Sequence, residues 1–80
     1  MDDLQIVARI GELTDEEHTL ERAHAGEALS DSELGRLRSI EVALDQCWDL
    51  LRQRRARRDA GNDPNQAAAR SEAVVEGYEQ

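Results

Sequence analysis

Positions that are mostly apolar recur along the first half of the chain at spacings that alternate between four and three, the repeat of a helix with one apolar face. This first set consists of Ile6, Ile10, Leu13, Glu17, Leu20 and His24. A second set with the same kind of spacing consists of Leu37, Ile40, Leu44, Cys47, Leu51 and Arg54. A fold-back at Gly26 brings the two sets into one antiparallel register, for example with Ile6 beside Leu51. The pattern predicts an all-α protein built on an antiparallel, coiled-coil-like hairpin of two helices.

The ends of the two helices are marked by residues that satisfy or stop helical backbone bonding. We expect the first helix over residues 3–24, followed by Gly26, which adopts a left-handed stop at little cost. Ser30 and Glu33 form a capping-box pattern. The second helix should therefore begin at residue 31 and continue to about residue 58.

Beyond this hairpin of residues 1–61, the tail of residues 62–80 carries weaker signals. Asp63 followed by Pro64 is typical of a helix start, and the alanines at 67–69 favour a short helix. A small apolar motif among acidic residues comes next, made of Val74, Val75 and Tyr78. Two interpretations stay open, because the tail can fray as chain termini often do, or its apolar motif can dock on the hairpin.

Some apolar side chains fall outside the paired seam and need another surface to cover them. They are Leu4 and Val7 on the first helix, and Leu34 and Trp48 on the second. A hairpin is a single layer, whereas apolar faces are normally buried between packed layers. We therefore expect a homodimer in a four-helix arrangement, since twofold self-association is the commonest solution for a small soluble protein. Coverage of the same faces by the tail is the competing interpretation.

Charge limits the classes of partner. The formal net charge of −8 argues against nucleic-acid binding, although a cluster of arginines lies near the end of the second helix. The cluster consists of Arg52, Arg54, Arg55, Arg57 and Arg58. The register places Asp3 opposite Arg54, so we expect structural pairing with the acidic start of the first helix, with an acidic protein partner as the alternative. The predicted interaction surface is made of Val7, Leu34, Trp48, Arg52, Arg54, Arg55, Val74, Val75 and Tyr78.

A second functional hypothesis concerns metal binding near the end of the first helix. Glu21 and His24 have the Glu-x-x-His spacing of di-iron carboxylate bundles, in which both side chains project from one helix turn. Glu17 and His18 add a carboxylate and an imidazole, and a dimer would double the set. The alternative is that Glu17 is a polar residue that fixes the register of the seam. Its partner would then be one of two arginines of the second helix, Arg36 or Arg38.

Other chemistry is not indicated. The sequence lacks a Gly-rich phosphate loop, a Cys-x-x-Cys pair and a nucleophile elbow, so we expect neither enzymatic activity nor a cofactor. No apolar run reaches the roughly 20 residues of a membrane span, and the acidic start is unlike a signal peptide. The one cysteine, Cys47, is interpreted as a small core residue, and a lone thiol fits a reducing cytoplasm. We therefore expect a cytoplasmic structural or protein-interaction module, with a dimeric metal-binding bundle as the alternative.

Several segments carry a family resemblance. They are Met1-Asp2-Asp3, Glu16-Glu17-His18, Gly26-Glu27-Ala28-Leu29-Ser30, the stretch from Leu44 to Ala56 around Cys47-Trp48, and Val74-Val75-Glu76-Gly77-Tyr78. On these segments the protein resembles a family of short uncharacterised actinobacterial proteins that is classed as a domain of unknown function. The exclusive use of arginine as the basic residue is also typical of GC-rich bacterial genomes. The resemblance implies no activity, so it bears on architecture and compartment rather than on function.

Overall fold

The computed structural model describes residues 1–23 and 26–76, and all regular structure within these ranges is helical. Helix α1 comprises Asp3–Ala23, α2 comprises Asp31–Asp59 and α3 comprises Glu72–Glu76. A short 3₁₀ helix, Pro64–Gln66, lies between α2 and α3. The all-α class that the hydrophobic pattern predicts is therefore confirmed. The last residue of the predicted first helix, residue 24, lies outside the described ranges.

Both long helices begin with reciprocal side-chain caps. At α1 the Asp2 carboxylate accepts from the Gln5 backbone N–H at 2.8 Å, and the Gln5 side-chain oxygen accepts from the Asp2 N–H at 2.9 Å. At α2 the predicted capping box is present, because the Ser30 hydroxyl accepts from the Glu33 N–H at 3.2 Å and the Glu33 carboxylate accepts from the Ser30 N–H at 3.0 Å. Each box gives partners to N–H groups that a helix start otherwise leaves unsatisfied.

Two glycines set the turns after the long helices. Gly26 has a φ of +82° and Gly61 has a φ of +78°. This left-handed region strains residues that carry a Cβ, so glycine is favoured at both positions. The predicted left-handed stop at Gly26 is confirmed.

The core lies where α1 and α2 face each other, and α3 adds one buried residue where it packs on α2. Its buried apolar side chains are Ile6, Ile10, Leu13, Ile40 and Val75. The remaining seam residues of the middle of α2, Leu44, Cys47 and Leu51, are only half-buried. Because polar residues cover the other faces, no helix in the described part of the chain is long and apolar enough to cross a membrane.

The segment after α2 turns back and runs antiparallel along that helix. Its carbonyl groups are held by two glutamines of α2: Gln53 donates to the Ala68 oxygen at 2.8 Å and Gln46 donates to the Arg70 oxygen at 3.3 Å. At the far end, Glu72 lies 4.0 Å from Arg38. Val75 is then placed in the core with an exposed fraction of 2%.

The short helix that the tail could form after Asp63 is present as the 3₁₀ helix Pro64–Gln66, and the alanines at 67–69 do not continue it. Asp63 caps the 3₁₀ helix by accepting from the Asn65 N–H at 2.9 Å, after which Ala67 is already extended. The reason is distance. Between its contacts with Arg54 and Arg38, the returning segment passes about four helix turns of α2, roughly 24 Å at the α-helical rise. Eight residues cover that length at about 3.3 Å each in extended form, whereas an α-helix of eight residues spans only about 12 Å.

Candidate functional site

An open groove lies between the start of α1 and the second half of α2, on the face of α2 that the returning segment leaves uncovered. It has a volume of about 340 Å³. Its lining consists of Asp3, Val7, Trp48, Leu51, Arg52, Arg55 and Arg58. We call it the Trp48 groove. The chain's one tryptophan lines this groove and is 49% exposed.

One end of the groove is closed by a charged cluster centred on Asp3. Arg54 donates to one oxygen of the Asp3 carboxylate at 2.5 Å, and Arg58 donates to the other at 2.6 Å. These two guanidinium groups, with Arg58 contributing most, lower the pKa of Asp3 to about 2. The predicted pairing of Asp3 with Arg54 is therefore observed.

Arg54 is fixed inside the molecule rather than presented to solvent. Its exposed fraction is 6%, and beyond Asp3 it donates to the Pro64 carbonyl at 3.2 Å and to the Asn65 side chain at 3.0 Å. One buried guanidinium thus joins the start of α1, the end of α2 and the 3₁₀ helix. Its donors are used internally, which explains why an arginine is placed at the end of the apolar seam.

Arg52 and Arg55 form the open, positively charged side of the Trp48 groove. Both side chains are exposed, and neither makes a hydrogen bond or a salt bridge within residues 1–23 and 26–76. The groove therefore has an apolar surface formed by Trp48 and Val7, beside the two guanidinium groups of Arg52 and Arg55. This arrangement suits an apolar surface flanked by carboxylates.

The structure separates the predicted interaction residues into different locations. Val7, Trp48, Arg52 and Arg55 meet at the Trp48 groove. Leu34 is half-exposed near the start of α2, away from the groove, and Val74 is half-exposed on α3. Val75 is buried in the core and Arg54 is buried under the tail. The last member of the predicted set, Tyr78, lies outside the described residues.

The metal hypothesis gains no support from the geometry. Glu17 is half-buried, and His18 and Glu21 are exposed on α1. Among the described residues, no three His, Cys, Asp or Glu side chains are close enough to hold an ion. The remaining predicted ligand, His24, is outside those residues.

The predicted salt bridge from Glu17 to Arg36 or Arg38 is wrong. Arg36 instead binds the neighbouring Glu16, with its terminal nitrogen 2.6 Å from one carboxylate oxygen, and Arg38 approaches Glu72. This mutual hydrogen bonding lowers the pKa of Glu16 and raises that of Arg36. Both partners stay partly exposed, which avoids much of the desolvation that a pair centred on the seam would suffer.

Cys47 is half-buried in the seam, and burial raises the pKa of its thiol. The thiolate is the reactive form of cysteine, so a raised pKa disfavours nucleophilic chemistry.

Sequence reasoning missed the most deeply buried polar group. The side chain of Asp49 is 0% exposed, and its carboxylate accepts from Arg70 Nε at 2.9 Å, from a terminal nitrogen of the same guanidinium and from Gln53 Nε2 at 3.0 Å. Arg70 above all lowers the pKa of Asp49. The only signal in the sequence was the spacing of Asp49 and Gln53, which places both on one face of α2. Arg70 lies in an extended segment, where no periodic pattern indicates its position.

The chain matches a family model over residues 2–80, and that model is described as a protein of unknown function, DUF2630. The chain belongs to this family. Similar proteins include an uncharacterized protein of Mycobacterium bovis and two of Mycobacterium tuberculosis strains. Each is 48% identical over 77 residues, which cover 95% of this chain and 88% of the relative. No solved structure matches the chain. The resemblance to actinobacterial proteins of unknown function is therefore confirmed.

Proposed function

We propose that this DUF2630 protein is a non-catalytic protein-interaction module that forms a homodimer through the Trp48 groove. The observation that carries the proposal is the half-exposed indole of Trp48 beside Val7 and Leu51. A tryptophan side chain has about 200 Å² of surface, so covering the exposed half contributes about 2 kcal/mol per copy at 25 cal/mol per Å².

The thin shape of the molecule supports the packing of a second copy on its α1–α2 layer. The Cα positions extend 50 × 26 × 17 Å, and one helix with its side chains is already about 10 Å across. The α1–α2 layer is covered on one side by the returning segment and α3, whereas the Trp48 groove has no such cover in the described part of the chain. A second copy placed on this face completes a four-helix arrangement. We place this module in the cytoplasm, where a lone thiol such as that of Cys47 stays reduced.

Sedimentation equilibrium on the full-length protein at tens of micromolar tests the proposal. We expect a dimer for the wild type and a much weaker dimer for Trp48→Ala, with the helical circular dichroism unchanged. Val74→Ala is a matched control, because Val74 is also 49% exposed but lies on α3. This control should remain dimeric.

A second measurement observes the groove directly. Because the chain has one tryptophan, its fluorescence reports only on position 48. Dilution should shift the emission to longer wavelength as the indole becomes hydrated, over the same concentrations at which the dimer dissociates. A wild-type protein that is monomeric at tens of micromolar, with emission independent of concentration, would contradict the proposal.

A further inference from the structure

One line of residues along α2 combines apolar and charged side chains. Its second half, with Trp48 and Arg55, lies on the uncovered face, and its first half borders α3, since Glu41 lines a shallow pocket together with Glu72. Leu34, Glu41, Trp48 and Arg55 are each seven residues apart, close to two full helix turns, so they lie nearly in one row. All four are exposed. Asp45 and Arg52 flank the same row, one on each side of Trp48 along the helix.

The charges in this row are arranged with opposite signs about Trp48. Both carboxylates, Glu41 and Asp45, precede the tryptophan, and both guanidinium groups, Arg52 and Arg55, follow it. Glu41 and Arg55 are equally distant from it, seven residues each way. None of the four makes a hydrogen bond or a salt bridge within residues 1–23 and 26–76. By contrast, three other arginines of α2 form salt bridges with carboxylates of α1: Arg36, Arg54 and Arg58.

We propose that two copies of the chain pack with their α2 helices antiparallel, on a twofold axis that passes beside Trp48. This inference rests on the proposed homodimer and specifies its geometry. In such a contact, a residue after Trp48 faces the residue equally far before Trp48 in the partner. Arg55 therefore faces Glu41 of the partner subunit. Arg52 faces Leu44 of the partner subunit, and the next residue there, Asp45 of the partner subunit, is the carboxylate that Arg52 can reach. The twofold axis repeats each ion pair, so four pairs surround two stacked indole side chains.

The charge pattern selects this arrangement over its alternatives. A parallel contact would place Arg55 against Arg55 and Glu41 against Glu41, and like charges across an interface disfavour a pairing. An acidic peptide in the Trp48 groove would satisfy the arginines but would leave Glu41 and Asp45, which do not line that groove, without cationic partners. A second copy in the antiparallel register is complementary at both ends of the row.

The net charge of −8 on each chain opposes association of two copies. This long-range repulsion is screened over about 8 Å at physiological ionic strength, whereas contacting ion pairs act at shorter range. The stem of Arg52 also covers apolar surface near Leu44 of the partner subunit, as long basic side chains commonly do. The apolar centre thus supplies attraction, and the ion pairs set register and direction.

Charge reversal tests the register. Arg55→Glu and Glu41→Arg should each weaken the homodimer by about tenfold or more, because each turns two ion pairs into two repulsions. An equimolar mixture of the two variants should restore association, since every pair in the mixed dimer again joins opposite charges. Arg57→Glu, which makes the same charge change on the opposite side of α2, is the matched control and should have little effect. Circular dichroism of each variant verifies that α1 and α2 remain folded.

The outcomes separate this inference from the proposed function. Restoration in the mixture, repeated with Arg52→Glu and Asp45→Arg, supports the antiparallel register. A wild-type dimer that neither reversal weakens, or variants that stay monomeric when mixed, overturns the register and leaves the homodimer standing. A wild-type monomer overturns both.

Discussion

At the scale of single residues, the buried carboxylate of Asp49 has the largest consequence for the fold. An ionised group without solvent contact is costly unless it is paired and hydrogen-bonded. Arg70 and Gln53 supply the partners, and no buried side-chain polar atom in the described residues lacks one. Because Arg70 belongs to the returning segment, the charge on α2 can be satisfied only when that segment is docked.

The first prediction compares the two sides of this ion pair. Arg70→Met keeps an apolar stem but leaves the Asp49 carboxylate buried without its cation, so we expect a loss of up to about 3 kcal/mol in the free energy of unfolding. Asp49→Asn removes the buried charge and keeps an acceptor, so it should cost only about 1–2 kcal/mol. Urea unfolding of both single variants and the double variant measures this. Equal costs for the two single variants, with full additivity in the double variant, would contradict the pairing.

The second prediction concerns pH. The pKa of Asp3 is lowered from 3.8 to about 2 by Arg58 and Arg54, and that of Asp49 is lowered mainly by Arg70. A lowered pKa in the folded state means that the unfolded chain binds the proton more readily, so these pairs stabilise the fold at pH above about 4. The stabilisation should be lost as pH falls from about 4 through the folded-state values. We expect the urea midpoint to decrease over this window, and to decrease less in Asp3→Asn. An identical pH dependence in that variant would exclude a contribution from Asp3.

At the scale of elements, the sequence predicts the helices with a strong period and misses the segment without one. The buried faces of α1 and α2 follow the alternating spacing, and the ends of α2 follow from the Ser30 capping box and Gly61. The alanines between the 3₁₀ helix and α3 favour a helix by propensity, but the structure has them extended. The extended form of this segment is set by the distance it covers along α2 and by Gln46 and Gln53, which are tertiary constraints.

The candidate site divides in the same way. Trp48 and Val7 were identified because they are apolar and fall off the seam, and Arg55 because it belongs to a charge cluster. The separation of the buried Arg54 from the exposed Arg52 and Arg55 depends on where Asp3 and the 3₁₀ helix lie. Composition and spacing do not encode those positions.

The third prediction distinguishes seam residues by burial. Leu13 is buried on α1, so Leu13→Ala should destabilise by about 2–4 kcal/mol through lost burial and the cavity that remains. Leu44 is half-buried and can be rehydrated, so Leu44→Ala should cost clearly less in the monomer. Chemical unfolding at concentrations below the dimer dissociation constant gives both values. A larger loss for Leu44→Ala than for Leu13→Ala would contradict the assignment of Leu13 as the more deeply buried of the two residues.

At the scale of the whole molecule, the chain is elongated for its size. Its Cα radius of gyration is 15.0 Å, whereas about 12 Å is typical of a compact domain of this length. Such a shape leaves α2 with two further faces beyond its contact with α1. One face holds the returning segment and α3, and the other forms the Trp48 groove. In the proposed homodimer, the contacts that stabilise the single chain and the contacts between chains therefore lie on different sides of one helix.

The last prediction is that these two faces can be altered separately. Val75→Ala removes part of a buried side chain on the α3 side, so it should lower the free energy of unfolding of the single chain by about 2 kcal/mol. The same variant should leave the dimer dissociation constant within about twofold of the wild type, because sites without shared partners act nearly independently. Trp48→Ala should do the opposite, weakening the dimer while leaving unfolding of the dilute monomer nearly unchanged, since the indole is half-exposed there. Sedimentation equilibrium and dilute urea unfolding on both variants provide the four values. If Val75→Ala abolished association in chains that circular dichroism shows to be folded, α3 would belong to the interface and the division of α2 into two faces would be wrong.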